Sequence, residues 1–196
     1  ADSELRAVKI GGDLIGGTVS AGVENPLGFS ATLGSVTIGG SFIGEGTSGH
    51  IFGGNIGAVK IGGSVIGDGD GSATIRSFFA DGTNSTSSIL SVTIGESLIG
   101  GTGVGSAQIE SGRGVGIVNP SGDLGAVKIG RDMRGGTNNF AGLIDAGSIK
   151  SVSIGGSLIG GTRDFTGVIL SSGDIGPVKI RRDLQGGSIA GTTPWF

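Results

Sequence analysis

Asp68-Gly69-Asp70-Gly71 sets two carboxylates on alternate residues of a glycine-rich stretch, the residue types with which a flexible loop offers oxygen ligands to calcium. The rest of an EF-hand spacing is missing and no glutamate stands at the closing position, so no metal site is expected. His50 is the single histidine, with no cysteine or carboxylate motif around it, and it reads as a solvated turn residue rather than a ligand or base. Serines and threonines abound, yet no Gly-x-Ser-x-Gly elbow with a partner histidine occurs. Asp13, Asp132 and Asp183 are acids that glycoside chemistry could use, but each lies four residues after a lysine (Lys9, Lys128, Lys179). They read instead as surface Lys–Asp pairs worth about 0.2–1 kcal/mol each. Gly-Lys-Ser/Thr is absent, so the glycine phrases are not phosphate loops. With no cysteine, disulfides and cysteine-bound zinc are excluded, and the expectation is a chain with no catalytic residues, no metal and no cofactor.

What recurs is a phrase rather than a site. Val-x-Ile appears seven times, at Val8, Val36, Val59, Val92, Val127, Val152 and Val178, usually followed by Gly-Gly-Ser/Asp-Leu-Ile-Gly-Gly. The valines are 28, 23, 33, 35, 25 and 26 positions apart, a period that marks stacked supersecondary units. Aligning the copies on the valine gives four apolar columns: Leu or Ile three residues before it, the valine itself, Ile two after it, and six after it Leu14, Phe42, Val65, Leu98, Met133, Leu158 and Leu184. The residue between Val and Ile alternates outward, as a strand requires. Eight after the valine every copy has glycine, which suits a corner with positive φ or a close backbone approach. Short β-branched strands punctuated by glycine, with no helical period, predict an all-β fold: a parallel β-solenoid of about seven coils, roughly three short strands per coil, forming one domain over 1–196.

Polar columns support the same register. The outward position reads Lys9, Thr37, Lys60, Thr93, Lys128, Ser153, Lys179, so lysine occupies every second coil. Ammonium groups about 5 Å apart repel by roughly 0.8 kcal/mol even in water, and alternation removes that cost. Glu96 is expected above Arg131 on the next rung. A net charge of −3 gives no general pull toward nucleic acid or anionic membrane, and no run of 18 apolar residues predicts membrane insertion. The opening Ala-Asp-Ser-Glu-Leu is no signal peptide and fits a mature end or a cut chain.

The third and fourth copies are about ten residues longer than the shortest, with inserts within 68–88 and 103–121 that could form one lateral protrusion. Phe78, Phe79 and Arg113 are the residues there best able to grip a partner; the alternative is that the phenylalanines pin the insert to the solenoid. Seven after the valine, Ile15, Ile43, Ile66, Ile99 and Ile159 form an apolar stripe interrupted by Arg134 and Gln185, either covered by loops or open to lateral contact. Arg131, Arg134, Lys179, Arg181 and Arg182 make a basic corner, read as a solvated charge cluster. Trp195 and Phe196 could cap the last coil or contact a neighbour there.

Val-x-Ile-Gly-Gly-Ser-Leu-Ile-Gly-Gly-Thr, with its bridging Ser/Gly-x-Ile-Gly-x-Val, resembles the glycine-rich β-strand repeats of large bacterial cell-surface and secreted proteins, planctomycete ones especially, and more loosely autotransporter passengers. The resemblance implies an extracellular or cell-surface structural or adhesive β-solenoid, a segment of a larger surface protein or a fibre subunit, with no catalytic residues to carry over. The implied partners are further copies, further coils or surface glycans. Two other classes stand beside it. A carbohydrate-binding or carbohydrate-processing β-helix needs acids and aromatic platforms, against which stand the low aromatic content and lack of tyrosine. An ice-binding solenoid needs flat threonine arrays, which lysine interrupts here.

Overall fold

Three parallel sheets, each built from one strand of every coil in chain order, run along the chain in a computed structural model that describes residues 4–22, 31–78, 87–113 and 121–187. The first sheet contains the Val-x-Ile strands: Glu4–Leu5 with Val8–Ile10, then Thr32–Ile38, Asn55–Ile61, Ser88–Ile94, Asp123–Ile129, Ser148–Ile154 and Val178–Ile180. The second is made of the short strands that follow the glycine bend, from Leu14–Ile15 to Leu184–Gln185. The third comprises Thr18–Ser20, His50–Gly53, Thr74–Phe78, Gln108–Arg113, Leu143–Ala146 and Val168–Ser171. The described residues contain no helix, and the fold is the parallel β-solenoid of about seven rungs that the repeat predicts.

The seven valines fall in a single file, each the register partner of the next. The isoleucines two residues later form a second file and the Leu/Ile column three residues earlier a third, its last step being the isolated bridge between Ile149 and Ile175. The Leu14-to-Leu184 column is the file of the second sheet. A fifth file, Val19, Ile51, Ile75, Ile109, Ile144 and Ile169, comes from the third sheet. It stands 11 to 17 residues after the valine, so no fixed-offset column reveals it. Side chains of all five files are buried in the middle coils and form one continuous core.

The glycines eight after the valine are required mainly by close approach. A Cβ on Gly44 would lie 2.2 Å from the Ala73 nitrogen and one on Gly67 2.4 Å from the Ala107 nitrogen, each in the adjoining coil. Only Gly16 of this file has positive φ, at 61°.

Glu96 and Arg131 meet across one rung at 3.8 Å, as expected, both exposed. The expected Lys–Asp pairs do not form. The acid column turns along the rod instead of back across the bend, and its members accept main-chain hydrogen bonds. Asp13 Oδ1 accepts the Ser41 N–H (2.6 Å), Ser41 Oγ that of Ser64 (3.1 Å) and Ser64 Oγ that of Ser97 (3.3 Å). Ser97 Oγ accepts the Asp132 N–H (3.3 Å), Asp132 Oδ1 that of Ser157 (2.9 Å) and Ser157 Oγ that of Asp183 (3.2 Å). At this corner the N–H groups need acceptors, and a short side chain bearing an oxygen supplies one to the coil above. Asp and Ser share the column because both can do it.

Candidate functional surface

The outward row of the third sheet reads Ser20, Phe52, Arg76, Glu110, Asp145, Leu170, one residue per coil, because strand alternation points the neighbours of the Val19-to-Ile169 file away from the core. Arg76 and Glu110 pair across one rung. Their side chains are 19% and 1% exposed, so Glu110 is buried and Arg76 half-buried although the pair lies on an outer row. Arg76 also donates to Gln108 Oε1 at 2.9 Å, and Gln108 donates onward to the Phe140 carbonyl at 3.2 Å. Removing one partner of such a pair leaves a buried charge uncompensated, at a cost of about 3–5 kcal/mol.

Aromatic rings continue the cluster. Phe78 meets Phe52 edge-on at 5.3 Å and carries the Arg76 guanidinium 5.6 Å from its ring centre. His50 stacks on Phe52 at 4.7 Å. Its Nε2 faces the Thr47 carbonyl at 2.9 Å, which makes Nε2 the protonated nitrogen, while Nδ1 is buried without a hydrogen-bond partner. His50 therefore opens a strand and is half-buried, and the expectation of a solvated turn residue is corrected. An imidazole stacked on a ring and tied to its own turn is a structural element of the row.

Among the site residues expected from the sequence, Phe78 lies in this cluster. Arg113 is brought beside it, since the backbones of Phe78 and Arg113 are register partners across an irregularity at Ser77–Phe78. Phe79, Trp195 and Phe196 lie outside the described residues, as do 79–86 and 114–120 of the two inserts; the described parts of the inserts include the third-sheet strands Thr74–Phe78 and Gln108–Arg113. A buried hydroxyl network joins the two strands at that end, with Ser77 Oγ 3.1 Å from Ser111 Oγ, Ser87 donating to Ser77, and Ser111 donating to the Asp123 carbonyl. Arg76, Glu110, Gln108 and Phe52 were missed by sequence reasoning. The only signal for Arg76 and Glu110 was one opposite charge in each of two neighbouring repeats, at offsets from the valine that differ by one, and Gln108 and Phe52 carried none.

Ile15, Ile43, Ile66 and Ile99 continue through Arg134, Ile159 and Gln185 as one file on the second sheet. Ile15 is exposed and the next three are half-buried. Phe140 and Phe165 form a separate exposed pair, stacked at 5.3 Å in adjoining turns. Both have positive φ (60° and 55°), at the turn position that Gly71 and Gly105 fill in earlier coils. A bulky residue in that region is strained by about 1–2 kcal/mol.

Asp68 and Asp70 do not converge on a common point. Asp68 accepts from Thr102 Oγ1 (3.2 Å) and Asp70 from the Val104 N–H (2.8 Å), so both tie their turn to the next coil. Among the described residues no three His, Cys, Asp or Glu side chains are close enough to hold a metal ion. Among them, too, no helix is long and apolar enough to cross a membrane.

On the outer face of the first sheet a shallow groove of about 450 Å³ is lined by Thr93, Lys128, Ser153, Lys179 and Arg181 with intervening Ile and Gly. In the Asp/Ser column of the corner, Asp132 holds its carboxyl below the ordinary value, first because the Ser157 N–H bonds to it and then because Arg134 donates to its other oxygen at 2.7 Å. Comparison with protein-family models, with curated proteins and with solved structures found no match.

Proposed function

We propose that the chain is a non-enzymatic structural or adhesive β-solenoid of an extracellular or cell-surface setting, a length of rod that works by continuing into further coils, either of the same polypeptide or of other copies. The observation that carries this reading is the state of the core files at the two end coils. Val92 and Val127 are almost fully buried in the middle of the valine file, whereas Val178 is 45% exposed. In the second sheet Leu98 is fully buried and Leu184 is 73% exposed, and at the other end Leu5 is 38% exposed. Among the described residues, apolar rows and strand edges that are covered and paired within the rod are thus open at its two ends, the surface on which another coil would pair. The extracellular setting is supported by the resemblance of the repeat phrase to surface-protein repeats.

Sedimentation and negative-stain microscopy of the purified chain test this. Fibres, or rods longer than one chain that shorten when Leu184→Lys and Val178→Lys charge the final coil, are expected. Monodisperse single-chain rods at every concentration, with the same sedimentation for wild type and variant, would count against association between copies. Hydrolysis or lysis of a polysaccharide by the purified chain would overturn the non-enzymatic reading.

A further inference from the structure

We propose, resting on the adhesive reading above, that the outer face of the first sheet is a docking track for a linear anionic polysaccharide, anchored in the groove where Lys128, Lys179 and Arg181 come together. Register carries Lys9, Lys60, Lys128 and Lys179 up one file, with Thr37, Thr93 and Ser153 between them. All four lysines are exposed. With rungs about 4.8 Å apart, their attachment points recur about every 9.6 Å along a straight line. The interval that keeps lysines from repelling one another also lets a polymer with one anionic group per short repeat neutralise them in turn.

The shape of the face suits an extended chain. The neighbouring outward file is Ser35, Ala58, Ser91, Ala126 and Ser151, so small side chains flank the lysine file on that side, with Leu90 and Lys150 exposed one residue further back on their strands. A polymer lying along the file meets low walls, with the Thr93 and Ser153 hydroxyls available between charges.

Charge complementarity selects the occupant. Among the described residues no carboxylate lines the groove. The acids nearest in the repeat are engaged: Glu96 pairs with Arg131, Asp132 with Arg134 and the Ser157 N–H, and Asp183 accepts from Ser157 Oγ at 3.2 Å. No ion pair involves Lys128, Lys179 or Arg181 among the described residues. The groove also sits at the basic end of the molecule, since residues 1–120 hold ten acids against five Lys and Arg while 121–196 hold six against eight. A single straight row of lysines on a chain of net charge −3 does not offer the broad basic face that a duplex nucleic acid needs.

Binding of the purified chain to immobilised dextran sulfate, to neutral dextran of equal length and to a DNA duplex, in about 50 mM salt, tests the track. The expected result is binding to dextran sulfate alone, weakening steadily as salt is raised. The double variant Lys128→Ala, Lys179→Ala is expected to lose about ten-fold or more in affinity, and Arg181→Ala to lose several-fold. Arg163→Ala with Thr137→Glu lowers the net charge by the same amount in turns outside the first sheet and is expected to change little. Equal losses in the two double variants, equal binding to neutral dextran, or duplex DNA bound as tightly through the same lysines would each overturn the track. All these side chains are exposed, and circular dichroism confirms that each variant is folded. Polysaccharide binding and end-to-end association are separate readouts, so sedimentation in 1 M salt without polysaccharide distinguishes failure of the rod from failure of the track.

Discussion

Asp132 is the residue at which the rod's hydrogen-bond ladder and its surface charge meet. One carboxylate oxygen accepts the Ser157 N–H of the next coil and the other accepts from Arg134, and together they hold its pKa below the ordinary range. The unfolded chain titrates near 3.9, so the stabilisation is complete above that value and disappears as pH falls through the lower, folded value. Asp132→Asn keeps an oxygen for the Ser157 N–H and loses the charge. Between about pH 4 and pH 2 the melting temperature of the wild type is therefore expected to fall more steeply than that of the variant. Parallel melting curves across that window would show that Asp132 contributes nothing through its ionisation. This role was half legible in the sequence. The Asp/Ser column is visible in the repeat, but its partner could be inferred only wrongly, as lysine, because sequence offset says nothing about whether a short side chain leans across a bend or along the stack. Arg76 and Glu110 were illegible for a different reason: their repeats differ in length, so no alignment on the valine puts them in one column.

At the scale of the strand, the first sheet shows how much a fixed offset reveals. Its three apolar files and the lysine alternation are all legible in the sequence, because Val, Ile and the residue between them keep the same spacing in every copy. The third sheet keeps no such spacing, and its file of Val19, Ile51, Ile75, Ile109, Ile144 and Ile169 emerges only from strand pairing. The alternation has a measurable consequence. Thr93 lies between Lys60 and Lys128 in register. Thr93→Lys would place three ammonium groups on successive rungs, adding two repulsions of about 0.9 kcal/mol each at 4.8 Å in water. The variant is expected to melt several degrees below the wild type at low salt and to recover most of the loss near 1 M salt, where the screening length is about 3 Å. Thr93→Gln, of similar bulk and no charge, is the control and is expected to leave the melting temperature nearly unchanged. A loss in Thr93→Lys that salt does not relieve would assign the alternation to packing instead of charge.

Across the whole molecule each coil is held mainly by the coils above and below it, so stability is set by how many neighbours a rung has. The middle rungs have two. Val92 and Val127 are almost fully buried and their strands pair on both sides, whereas Val178 pairs, among the described residues, only with Val152 and is half open to water. Local opening should therefore start at the described ends and be rarest in the centre, in contrast to a globular domain whose core opens as one unit. Amide hydrogen exchange measured strand by strand is expected to show protection rising from Val8–Ile10 to a maximum over Ser88–Ile94 and Asp123–Ile129, then falling toward Val178–Ile180. Ile94→Ala, which removes a fully buried side chain at a cost of about 2–5 kcal/mol, should lower protection most in its own coil and in the coils paired to it, with the effect fading by the ends. Uniform protection along the rod, or a loss spread evenly over every coil, would mean that the stack opens all at once and that its end coils are closed by contacts other than coil-on-coil pairing. Under the proposed end-to-end association, raising the protein concentration should raise protection at Val178–Ile180 and Leu184–Gln185 first, because those strands gain the missing neighbour.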